Sequence, residues 1–181
     1  MNRREITSRL GEMVKRRLSR SCALWAPEVV VPAGREGVRF GCVDFAGFSP
    51  YWDMPDASSL ERGILECYEI KSCLDDFKSG NGLNFVGDVN WLVCPQDLCD
   101  RLRESQMLPS KAGVLCPDAS WSRLLVKIEN PAGSYLDIRR SMTAAEAIWR
   151  IVKASYGARL EVNSNLSEMR LESEVSHDDE R

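Results

Sequence analysis

Glu69 and Lys71 stand two residues apart in Gly63-Ile-Leu-Glu-Cys-Tyr-Glu-Ile-Lys71, among apolar and β-favouring neighbours. In an extended strand, residues i and i+2 share a face. A carboxylate and an ammonium then lie side by side on an otherwise apolar surface. A further acid, Asp44, sits inside an earlier apolar run, Gly41-Cys-Val-Asp-Phe45. If those strands are neighbours, Asp44 and Glu69 face the same side at about 4–5 Å. Carboxylates that close repel one another on a half-buried face unless positive charge sits between them. A hard divalent cation, Mg²⁺ or Mn²⁺, meets that need, since it prefers oxygen ligands and keeps several waters. Such a site can lower the pKa of a bound water and stabilise charge on a phosphate in transfer. Lys71 can orient the attacking water, deprotonate it or stabilise the transition state; the residues leave all three open. The plain alternative is a solvated Glu-X-Lys ion pair on a strand.

Other chemistries lack their residues. The lone histidine, His177, falls in an acidic C-terminal stretch, so no Ser–His or Cys–His pair and no histidine metal site is expected in the folded part. There is no P-loop and no Gly-rich dinucleotide fingerprint. The seven cysteines are odd in number and irregularly spaced, no CxxC pair occurs, and the Cys94/Cys99 gap is too wide for a zinc knuckle. Cys42, Cys67, Cys94 and Cys116 lie in strand-like runs and read as buried reduced thiols of a cytoplasmic protein. No apolar run approaches the ~20 residues needed to span a bilayer, so no membrane association is expected.

The net charge of −3 hides an asymmetry. Arg3, Arg4, Arg9, Lys15, Arg16, Arg17 and Arg20 crowd the start, whereas acids dominate 161–181. A basic start can meet phosphate or simply be a solvated helix face.

The elements that must position the acids follow from periodicity. Ile6, Leu10, Met13, Val14 and Leu18 form one helical stripe over 4–19. Cys22–Val31 reads as an edge strand or a bend, because Pro27 lies inside it. A turn over 32–37 leads to a second strand, Val38–Phe48, with Phe40, Cys42, Asp44 and Ala46 on one face and Val43 and Phe45 on the other. A loop over 49–62 carries Tyr51, Trp52 and Met54. The third strand, Ile64–Lys71, places Leu65, Cys67, Glu69 and Lys71 on one face. Glu66 points the other way and is expected to pair with an arginine. Ser72 and Asp75 suggest a capping box for a short helix packed by Leu74 and Phe77 and ended by Gly80 and Gly82. Val89–Cys94 is a near-continuous apolar strand, so it should be central. A helix over 96–104, strands Gly113–Cys116 and Leu124–Ile128, and a helix Met142–Tyr156 with a Thr143/Glu146 capping box complete the chain. Trp25, Trp91, Trp121 and Trp149 are expected in the core. The fold class is therefore α/β, a mixed central sheet flanked by helices, with one domain over 1–160 and a flexible acidic tail over 161–181.

The order helix, strand, strand with Asp44, strand with Glu69-Ile70-Lys71, helix, strand resembles the PD-(D/E)XK nuclease superfamily, with its restriction-endonuclease-like αβββαβ core. Glu66-Cys-Tyr-Glu-Ile-Lys-Ser-Cys-Leu-Asp-Asp-Phe77 is similar to a subgroup of small phage, mobile-element and bacterial DNA-repair-like proteins, as are Gly82–Trp91 and Val93-Cys-Pro95. The resemblance covers roughly residues 5–128. It implies Mg²⁺-dependent cleavage of DNA phosphodiesters, with Asp44, Glu69 and the Ile70 carbonyl on the metal and Lys71 beside the attacking water. It also implies DNA as partner, with a homodimer possible across a duplex. No proline precedes Asp44, and 25 residues separate Asp44 from Glu69, so the 49–62 loop must be an excursion. Lys78, Asn81, Asn84 and Asn90 are candidates for phosphate or sugar contacts, with turn formation the alternative for the asparagines. Two other readings stand beside the nuclease: a catalytically silent DNA- or protein-binding module on the same fold, and a phage structural or regulatory protein.

Overall fold

The chain opens on a helix whose first turn is closed by a reciprocal pair of bonds. Asn2 accepts from the Glu5 amide, and the Glu5 carboxylate accepts from the Asn2 amide. Helix α1 (Arg3–Ser21) then buries Leu10, Met13, Val14 and Leu18 as the stripe predicts. The computed structural model describes residues 1–33, 39–51, 55–131 and 140–156. After α1 come β1 (Leu24–Ala33), β2 (Arg39–Ser49), α2 (Asp56–Glu61), β3 (Ile64–Ile70), α3 (Leu74–Lys78), β4 (Val89–Val93), α4 (Gln96–Glu104), β5 (Gly113–Pro117) and β6 (Leu124–Ile128). A last helix, α5, spans 144–156.

The six strands form one mixed sheet in sequence order, β1 to β6. β1–β2–β3 is an antiparallel meander, β3–β4–β5 run parallel, and β6 returns antiparallel. The parallel pairs require crossovers, which α3 and α4 supply. The α/β expectation holds, and β3 and β4 lie at the centre. The Pro27 strand is an edge, because the missing N–H is harmless there. Among the described residues no helix is long and apolar enough to cross a membrane.

The core splits over the two faces of the sheet. α1 covers Phe45, Tyr68, Ile70, Trp91, Val93 and Leu115. On the other face α5 covers the β1–β3 half, burying Ala147 and Ile151 against Val29, Ala46, Phe48 and Cys67. α3 and α4 cover the β4–β5 half around Leu92, Cys94, Val114 and Cys116.

Several local expectations are corrected. Val43 packs with Ala46 and Phe48, not with Phe45. The cause is an irregularity where Glu28 lies opposite Asp44. Glu28 has φ 53°, and the β1–β2 ladder skips it and Asp44 between Pro27↔Phe45 and Val29↔Val43 while the register continues unchanged. The alternation changes phase there in both strands. Cys42 is exposed rather than buried, whereas Cys67, Cys94, Cys99 and Cys116 are buried, free thiols. Trp149 is 61% exposed, because it points away from the α5 face that holds Ala147 and Ile151. The 49–62 segment contains a short helix, α2, which buries Ser59. Ser72 does not cap α3: Cys73 holds that position without a side-chain bond, and Ser72 instead donates twice to Asp76. The Thr143 hydroxyl accepts from the Glu146 amide, but the Glu146 carboxylate turns to Arg150, so only half of that box forms. Glu66 reaches its arginine through a tyrosine: Arg17 donates to the Tyr68 hydroxyl, which donates to Glu66. Trp52, Met54, most of the 32–37 turn and the 161–181 tail lie outside the described residues.

Candidate active site

β2 and β3 pair from Ser49↔Ile64 to Phe45↔Tyr68, and there the regular ladder stops. Asp44 and Glu69 are the next residues on each strand. Instead of a backbone bond, the Asp44 carboxylate accepts the Ile70 amide at 2.6 Å. The strand irregularity at Glu28 and Asp44 therefore has a local consequence: a side chain replaces a ladder bond, and the strands open where the acids stand.

Glu69 is fully buried. Its Oε1 accepts from the Asn84 amide at 2.9 Å, while Oε2 has no hydrogen-bond partner. Burial, with the negative charge of Asp44 adding to it, pushes the Glu69 carboxyl up to about 9 against the pull of the Asn84 bond and Lys71. Asp44 is raised as well, mainly by burial; its bond from Ile70 and the charge of Lys71 oppose the shift, and Glu28 and Asp76 reinforce it.

Lys71 continues the strand by donating its amide to the Val93 carbonyl. The residue is 6% exposed, and Nζ donates to the Asn81 carbonyl at 2.6 Å. The loop after α3 closes over the pair. Gly82 has φ 63°, and a Cβ there would stand 3.0 Å from Glu69 Oε2 and 3.4 Å from Lys71 Nζ. Glycine answers both needs, the left-handed backbone and the close approach to the charged groups.

The structure brings Asp44, Glu69, Ile70 and Lys71 together. Asn84 belongs to the frame: its amide holds Glu69, and its side chain donates to the Cys42 carbonyl at 3.0 Å. Asn81 contributes its carbonyl to Lys71 and is itself exposed, and Lys78 is exposed at the end of α3. Asn90 exchanges bonds with the Gly87 backbone, the turn role. Three participants carried no readable signal. Gly82 looks like a helix stop in the sequence. Asp76 looks like one more acid of the short helix, yet it takes both Ser72 bonds and an ion pair from Arg3 at 2.6 Å. Glu28 enters only through the register of β1 on β2.

The oxygen donors here are of the kind a divalent cation takes. Glu69 Oε2 is a buried carboxylate oxygen without a partner, beside a second raised acid, and hard oxygen donors are what Mg²⁺ takes. Among the described residues no three His, Cys, Asp or Glu side chains converge on one point, so the protein's donors would be two carboxylates and a backbone carbonyl.

No protein-family model and no curated protein matches the chain. Among solved structures it is similar to the SPO1766 protein of unknown function from Silicibacter pomeroyi, with a TM-score of 0.54 and 19% identity over 90% of this chain and 93% of that one. At that identity the likeness concerns the fold.

Proposed function

We propose that the chain is a metal-dependent nuclease that hydrolyses DNA phosphodiesters at the Asp44–Glu69–Lys71 cluster. The observation that carries this reading is Glu69 Oε2, buried and without a partner beside a second acid and a lysine. A fold built only for stability would leave such a site apolar or pair it fully. Asp44, Glu69 and the Ile70 carbonyl would hold Mg²⁺ or Mn²⁺. The cation would supply a more acidic water and a counter-charge for the phosphate. The chain's own groups do the rest. Ile70 and Asn84 hold the two carboxylates through their amides, which fixes the donors before substrate arrives. Lys71, tethered to Asn81, places an ammonium beside the scissile phosphate, where it orients the attacking water or stabilises developing charge.

A second reading has its own support. Without a cation the Glu69 carboxyl stays protonated up to about 9 and Lys71 is satisfied by a carbonyl, so a silent binding module would also be stable. Titrating Mg²⁺ and Mn²⁺ against plasmid and single-stranded DNA separates the two. Divalent-dependent cleavage by the wild type, lost in Lys71→Ala and Glu69→Gln, supports the nuclease. Equal activity in wild type and Lys71→Ala rejects it.

A further inference from the structure

On the sheet face opposite Glu69, the C-terminal half of α1 meets the turn between β5 and β6 at an open cleft of about 380 Å³. Four arginines line it: Arg16, Arg17 and Arg20 from α1, and Arg123 from the turn. The hydroxyl residues Ser21 and Ser122 line it as well.

Arg17 is held in place, whereas Arg16, Arg20 and Arg123 are exposed around it. Arg17 is half-buried, with its guanidinium over the Trp91 ring at 5.6 Å. It bonds to Tyr68 through Nε, at 3.1 Å, which leaves the terminal amino groups as donors toward the cleft. Arg123 rides on a turn that Asp118 organises: Asp118 accepts from the amides of Ser122 and Arg123 and from the hydroxyls of Ser120 and Ser122. Trp121 stands at φ 55° within that turn, and the Arg9 guanidinium lies over its ring.

The acids nearby do not balance this charge. Glu66 is engaged by the Tyr68 hydroxyl. Asp118 is committed to its turn and meets Arg123 at 3.6 Å in an exposed pair. Among the described residues Arg16 and Arg20 have no ion-pair partner. Like charges gathered from two elements around one cleft repel unless an anion fills it. Planar guanidinium forks match phosphate oxygens two at a time.

We propose that this cleft binds a phosphate chain, the linked phosphates of a nucleotide or of a nucleic-acid backbone, at a site separate from the Asp44–Glu69 cluster. Arg17 forms the fixed floor. Arg16, Arg20 and Arg123 close around successive phosphates, while the hydroxyls of Ser21 and Ser122 stay bonded to the Arg17 carbonyl and to Asp118. Among the described residues no aromatic ring lines the cleft, so recognition is of phosphate and not of a base.

Calorimetric titration tests this with inorganic pyrophosphate, orthophosphate, a nucleoside triphosphate and a short single-stranded DNA. The partners are the wild-type chain, an Arg20→Ala/Arg123→Ala double variant and Glu69→Gln. Saturable pyrophosphate binding, tighter than orthophosphate and weakened about tenfold or more in the double variant, is expected. Glu69→Gln should bind as the wild type does, so the site and the nuclease reading can fail separately. The double variant replaces exposed side chains and should melt like the wild type without ligand. Tighter binding of the triphosphate than of the DNA identifies a free phosphate chain; the reverse order identifies a backbone. Absence of saturable pyrophosphate binding, or binding that the double variant leaves unchanged, overturns the proposal.

Discussion

At the start of β3, Asp88 and Arg140 form an ion pair at 2.8 Å with side chains 7% and 3% exposed. Asp88 also accepts from the amides of Leu65 and Arg140, and the guanidinium donates to the carbonyls of Gly63 and Glu61. At the other end of the same strand, Glu69 and Lys71 are buried to a similar degree; each cluster has one buried atom without a bond, Arg140 Nε in the first and Glu69 Oε2 in the second, but Lys71 Nζ donates to a carbonyl and not to an acid. The first cluster ties α2, β3 and the segment before α5 together. The second leaves two acids raised toward their neutral forms. One strand thus carries an ion pair that ties three segments together and, at its other end, a buried acid and lysine that are not bonded to each other.

The widest separation of the two ends should come from Arg140→Ala. Removing one partner of a buried pair leaves the other charge uncompensated, at about 3–5 kcal/mol. Denaturant unfolding should show that loss, and Asp44, Glu69 and Lys71 at the far end of β3 should be untouched in whatever fraction stays folded. A loss under about 1 kcal/mol would mean that Asp88 draws its stability from the Leu65 and Arg140 amides instead.

Glu69→Gln should act in the opposite direction. The folded Glu69 pKa is raised to about 9 from an ordinary value of 4.5. The folded state therefore holds a proton that the unfolded state has lost between those values. Stability is full below the unfolded pKa and falls as pH rises toward 9, by at most about 1.4 kcal/mol per pH unit from this group. In chelator, wild type and Glu69→Gln should have equal stability near pH 4, and the variant should gain steadily by pH 8. Added Mg²⁺ should lift the wild type at pH 8 and leave the variant where it was. Parallel stability–pH curves for the two proteins would show that Glu69 ionises freely in the fold.

Much of this contrast is legible in the sequence, and the part that is not has a physical reason. The period-2 pattern of β3 and the apolar β4 run place Glu69 on one face and set the central strands, because both are local properties of the chain. The phase change at Glu28 and Asp44 is invisible there, since it depends on how β1 lies on β2. For the same reason simple alternation puts Val43 on the wrong face. The role of Asp76 is hidden too: Ser72 looks like a helix cap when read locally, and only the fold shows the acid receiving its bonds. The Asp88–Arg140 pair leaves no trace, because its partners are 52 residues apart and neither stands in a patterned run.

The smallest effect, and the one that most directly probes what the open end is for, is expected at Gly82. A left-handed backbone makes any L side chain there unfavourable by about 1–2 kcal/mol. The same holds at Gly80, whose φ is 70°, but there an added methyl group would meet nothing within 4 Å. At Gly82 the methyl would meet Glu69 Oε2 at 3.0 Å and Lys71 Nζ at 3.4 Å. Gly80→Ala and Gly82→Ala should therefore cost similar stability in denaturant unfolding, yet only Gly82→Ala should depress divalent-dependent cleavage beyond its loss of folded protein. Equal cleavage per folded molecule in the two variants would show that the loop over Glu69 and Lys71 is a cover and not part of the reacting geometry.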